Sequence, residues 1–107
     1  MFTRVVEFNA NPGEAKEVAT ALNDKVMPIL KSTPGFVDAI VLTSTTQPNS
    51  LLGISFWKSA DDANRYSREQ YPKVNEILRP MLETSPNVQT FNVDISTTHK
   101  IAMEKAA

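Results

Sequence analysis

"FVDAIVLTSTTQPNSLLGISFWK", Phe36 to Lys58, decides the fold. Its first part, "FVDAIVLTS", is apolar on both sides of a two-residue repeat. Phe36, Ile40 and Leu42 fall on one face, and Val37, Ala39 and Val41 on the other. "LLGISFWK", from Leu51, is again apolar on both faces, and strands of that kind are covered on two sides. "TTQPNS" between them is a turn cluster, and a connection of about six residues makes the pair an antiparallel hairpin. Gly53 in mid-strand predicts a bulge or the close approach of another group to the backbone.

Upstream, "FTRVVEFN" alternates Phe2, Val6 and Phe8 on one face with Val5 on the other, so it reads as a strand. "NPGE" then predicts a helix start, with Asn11 as the cap, Pro12 in the first helical position and Glu14 three residues after the cap. Ala15, Val18, Leu22, Val26, Ile29 and Leu30 form a helical stripe. Pro28 interrupts it and predicts a kink or break near Asp24 and Lys25, and "TPG" at Thr33–Gly35 stops the helix. Downstream, Ser59 followed by Asp62 predicts a capped second helix to about Tyr71, restarting at Pro72 and ending before "TSPN". "VQTFNVDIST" closes as a strand, with Phe91, Val93 and Ile95 on one face and Asn92 and Asp94 on the other. The order is βαββαβ: a ferredoxin-like α+β fold, with two helices on one face of a four-stranded antiparallel sheet. The other face of the apolar middle strands needs a cover, and the simplest is a second copy of the sheet, giving a symmetric homodimer with the tail as a candidate exchanged arm.

The chain of 107 residues is expected to form a single domain, with a core over about residues 2–98 and a tail over 99–107. A domain of this length buries roughly 65% of its unfolded surface and needs no covalent staple. There is no cysteine, hence no disulfide, thiolate nucleophile or Cys-based metal site. Eleven basic and twelve acidic side chains leave a net charge of −1, well mixed, which lacks the basic footprint of a nucleic-acid or anionic-membrane binder. "MFTRVVEFNANPGE" alternates and turns polar early, unlike a signal peptide or a membrane span. The expected location is the cytoplasm.

"KVMPILKSTPGF", "ISFWKSADDANRY" and "YPKVNEILRPML", in that order, resemble the antibiotic biosynthesis monooxygenase-like (ABM) superfamily of dimeric α+β barrels. The resemblance spans about residues 2–98, and its motifs are signatures of architecture rather than of chemistry. It implies one of several activities: cofactor-independent oxygenation of hydroxylated aromatics and quinols, haem degradation, or none. The haem-degrading members carry an Asn on the first strand, a Trp on the second helix and a haem-ligating His ten residues further on. Here those positions fall on Arg4 or Val6, on Tyr66 and on Glu76, while Asn9 comes too late. A carboxylate is no substitute for the axial imidazole, so haem degradation is rejected. No cofactor or metal is implied.

On a helical wheel Ala60, Ala63, Ser67, Gln70 and Val74 share a face, with Tyr71 near its edge and Tyr66 farther out. A buried face of small and polar residues predicts a pocket between this helix and the sheet, floored near Gly53. The alternative is that Ser67 and Gln70 meet solvent at a frayed helix end. Trp57 is a core or interface anchor, or a pocket wall. Tyr66 and Tyr71 orient a phenolic substrate or cover the helix flank. His99, the sole histidine, serves as a base if the tail folds over the pocket and is otherwise solvated.

Under the resemblance, the first functional reading is a cofactor-independent monooxygenase. Ser67, Gln70 and Tyr71 would then be orienting donors, Trp57 and Tyr66 walls, and His99 the candidate base. The competing reading is a non-enzymatic dimer that binds a small apolar or aromatic ligand or has a regulatory role.

Overall fold

The computed structural model describes residues 1–97. Strands β1 (Phe2–Asn9), β2 (Phe36–Thr43), β3 (Ser50–Trp57) and β4 (Asn87–Asn92) form one sheet in the order β2-β3-β1-β4, with every pair antiparallel. Helices α1 (Ala15–Ala21) and α2 (Met27–Lys31) follow β1, and α3 (Ala60–Glu69) and α4 (Tyr71–Leu78) follow β3. This is the ferredoxin-like βαββαβ plan, with the core between the helices and one sheet face. Among the described residues no helix is long and apolar enough to cross a membrane.

Proline shapes both helical segments. Pro28 has no N–H to offer the Asp24 carbonyl, and the chain absorbs the loss as a π-helical turn over Leu22–Val26, with the Met27 N–H bonded to the Leu22 carbonyl. Pro72 sits in the first turn of α4, where a missing donor costs nothing, and the break between α3 and α4 falls at Gln70. Ser59 caps α3: its Oγ accepts from the Asp62 N–H at 3.2 Å and donates to Asp62 Oδ2 at 3.0 Å. Gly35 takes a φ of +86°, and a Cβ there would run into the Asp62 side chain, so both backbone freedom and lack of bulk are needed at this turn.

Three expectations change. Asn11 does not cap α1; the helix begins at Ala15 behind Glu14, and the Asn11 side chain donates to the Pro80 carbonyl at 3.1 Å. The β2–β3 register shifts between Phe36 and Asp38, a β-bulge that reverses the alternation. Phe36 therefore joins Ala39 and Val41 on the helix side, and Ile40 and Leu42 face away. Finally, β4 stops at Asn92, because its partner Phe2 is the first residue of β1 and no neighbouring strand continues beyond it.

Candidate functional site

Rows across the sheet explain why a cavity forms. On the helix side, one row reads Ala39, Ser55, Arg4 and Thr90, and the next reads Val41, Gly53, Val6 and Val88. Ala39, Ser55 and Gly53 are too small to fill the space beneath the helices. A Cβ on Gly53 would lie 3.1 Å from the Phe8 ring, so this glycine marks a close approach in an unbroken strand. The result is a cavity of about 40 Å³. Its floor is Arg4, Val6, Gly53 and Ser55, its roof Tyr66, Tyr71 and Val74, and its side wall Leu22, Val26, Met27 and Leu30. The π-helical turn at Leu22–Val26 thus forms part of the wall. Such turns often occur at functional sites.

The polar groups gather at one end. Arg4 is only 4% exposed. Its guanidinium lies 5.1 Å from the Tyr66 ring centre and 4.6 Å from that of Tyr71, within cation–π range of both. Burial pulls Arg4 below the usual arginine range, and the two tyrosines oppose that shift. Burial pushes the Tyr66 hydroxyl up to about 12, with Arg4 pulling the other way, and raises Tyr71 for the same reason. Both tyrosines are therefore neutral at pH 7, and the guanidinium remains charged.

The residues singled out in the sequence separate into three places. Tyr66 and Tyr71 line the cavity, their ring centres 6.3 Å apart. Tyr66 is more buried than the helical wheel suggested and Ala60 is exposed, because α3 turns its Ala63–Tyr66 side to the sheet. Trp57 is fully buried beside the cavity, stacked at 5.0 Å on Tyr66 and edge-on at 5.7 Å to Phe36. Its Nε1–H donates to Ser55 Oγ at 2.9 Å, so it braces a residue of the cavity floor. Ser67 does not line the cavity, and Gln70 borders a separate groove with Ser32, Thr33 and Arg65. His99 lies outside the described residues.

The sequence reading missed Arg4 as a site residue. Its signal was present: Arg4 shares its parity with Phe2, Val6 and Phe8, a charge on an otherwise apolar, inward-facing strand. Among the described residues no cluster of His, Asp or Glu is suited to hold a metal ion.

A ferredoxin-like sheet with an apolar cavity under its helices defines a class of small α+β domains that close a pocket against the sheet. The family model described as antibiotic biosynthesis monooxygenase matches residues 1–74, and the chain belongs to that family. No curated protein matches the chain. Several solved structures share its fold. SnoaB, a cofactor-independent oxygenase from Streptomyces nogalater, is 19% identical, with 92% of this chain and 97% of that chain covered at a TM-score of 0.76. A Streptomyces coelicolor monooxygenase in complex with nanaomycin D is 20% identical, covering 89% of this chain and 88% of that chain at 0.75. A Nitrosomonas europaea protein of unknown function is 14% identical, covering 90% and 91% at 0.76. At these identities the likeness is one of fold.

Proposed function

We propose that the chain is a cofactor-independent monooxygenase for a small hydroxylated aromatic or quinol-type substrate, bound under Tyr66 and Tyr71. The observation that carries this reading is the cavity itself: apolar along most of its wall, with Arg4, Ser55 and the two tyrosines gathered at one end. An aromatic body suits the wall, and its hydroxyl suits the polar end. Family membership supports the same reading, as does the fold shared with a protein named a cofactor-independent oxygenase.

For a substrate whose CH₂ is activated by a phenolic ring, the reaction is R₂CH₂ + O₂ → R₂C=O + H₂O. The substrate anion is the electron donor, and one oxygen atom ends in the product and one in water. The protein excludes bulk water, holds the ring and donates hydrogen bonds to the oxygen that gains charge. The cavity is smaller than the 300–1,000 Å³ of typical ligand sites, so binding requires wall side chains such as Met27 to move. The exposed apolar residues Ile40, Leu42 and Phe91 on the outer sheet face support a homodimer formed through that face. A ligand carrier is the second reading. It is favoured by one observation: the titratable residues in the described lining are Arg4, Tyr66 and Tyr71, with no carboxylate or imidazole to serve as a base.

Oxygen uptake with an anthrone and with a quinol tests the proposal. Wild type should consume O₂ well above autoxidation. Tyr71→Phe should slow it roughly tenfold, the worth of one hydrogen bond. Gln70→Ala, outside the cavity lining, should leave the rate unchanged. Uptake no faster than the protein-free background, with the ligands still stabilising the fold, would instead establish the carrier.

A further inference from the structure

Among the described residues, Arg4 is a buried cation with no carboxylate beside it. The groups facing it from each neighbouring element are Ala39 on β2, Ser55 on β3, Thr90 on β4, Tyr66 on α3 and Tyr71 on α4. None of these carries a negative charge at neutral pH. Arg65 pairs with Asp62 near the start of α3. Tyr66 and Tyr71 offer ring faces and neutral hydroxyls, which soften the burial of the guanidinium without neutralising it. An unpaired buried charge is a costly feature, and a stack of two rings has no structural need of it. The guanidinium presents five N–H donors and lines the cavity, so it has capacity for an acceptor that enters from that side.

We infer that Arg4 is the anion-binding residue of the cavity, and that the ligand is taken as the deprotonated form of an acidic hydroxyaromatic, its ionised oxygen on the guanidinium and its ring against the apolar wall. This rests on the proposed substrate site and deepens it: the ligand class is the phenolate or enolate rather than the neutral phenol. With no base in the described lining, the ligand gives up its proton to water, and Arg4 favours that loss because a cation beside the bound anion lowers the ligand's own pKa. The two raised tyrosines act in the same direction, since each stays protonated and can donate to the anion.

The test uses the full chain and 4-nitrophenol, whose phenolate absorbs visible light and whose phenol does not. 4-Nitroanisole, its methyl ether, is the neutral control, read by competition. The bound probe should ionise about one pH unit below the free probe, and the phenolate should bind about tenfold tighter than the ether. Arg4→Met should abolish both differences, still bind the ether, and melt at the same temperature as wild type or higher, because an unpaired buried charge is gone. Arg4→Lys should restore part of the preference.

Unshifted or raised ionisation of the bound probe would overturn the assignment. So would equal affinity for the ether, failure of both probes to bind, or an Arg4→Met protein that melts lower with the preference intact. Should Arg4→Met not fold, the wild-type titration decides alone. Oxygen uptake is read separately. Uptake without anion preference removes only the role of Arg4, whereas anion preference without uptake removes the oxygenase and leaves an anion binder.

Discussion

The two faces of the one sheet carry similar apolar strands and meet different fates. On the helix side, Phe8, Leu51 and Trp57 are sealed, and the space left by Ala39, Gly53 and Ser55 becomes a cavity with a cation in it. On the outer side, Ile40 pairs with Ile54 and Leu42 with Leu52, yet Ile40 is 44% and Leu42 46% exposed. No element of the chain's described part seals that side. One face therefore holds the monomer together, whereas the other offers its apolar area to association. Polar chemistry follows the same division: the outer face can keep Glu7 and Gln89 hydrated, but Arg4 on the inner face is buried against the Tyr66 and Tyr71 rings.

Disrupting the inner face should have the largest effect. Trp57→Ala removes a fully buried indole together with its stacking on Tyr66, and should cost about 3–5 kcal/mol in urea unfolding. A loss below about 1 kcal/mol would show that the inner face is not the main source of stability.

The pH dependence comes next. The Tyr66 pKa is raised in the folded state, from 10.0 to about 12, so burial favours the neutral phenol. Its contribution is complete below pH 10 and is lost as pH rises from about 10 to 12, when the unfolded chain ionises first. Melting curves between pH 9 and 11.5 should show wild type losing roughly 2 kcal/mol more than Tyr66→Phe. Parallel curves for the two proteins would remove Tyr66 from the buried set.

Gly53→Ala sharpens the comparison inside the cavity. The new methyl presses on the Phe8 ring, which can shift by a few tenths of an ångström, at a cost of about 1–2 kcal/mol. Probe affinity should fall further than stability does, as read by thermal shift with and without ligand. The smallest effect on the monomer belongs to the outer face: Ile40→Lys should change monomer stability by no more than about 0.5 kcal/mol. The same substitution should convert the proposed dimer to monomer in light scattering. An unchanged mass would place any association elsewhere.

Much of the fold was legible because its signals are local. Two-residue alternation marks β1, a run apolar on both faces marks β3, Pro28 locates the π-helical turn, Ser59 with Asp62 starts α3, and Pro72 restarts the helix at α4. Each acts through neighbours a few residues away, within reach of a sequence pattern. The bulge at the start of β2 and the orientation of Tyr66 were not legible. The first depends on how β2 registers on β3, and the second on how α3 is phased against the sheet before the break at Gln70. The cavity lies between these cases. Gly53 and small residues on α3 pointed to it, but the space arises from Ala39, Gly53 and Ser55 meeting across two strands. The sequence by itself determined which segments become strands and helices, and that Arg4 shares a face with Phe2, Val6 and Phe8. Only the tertiary structure set two tyrosines from separate helices over that charge and left it, among the described residues, without a carboxylate, because counter-charge and enclosure are properties of all the elements that converge on a point.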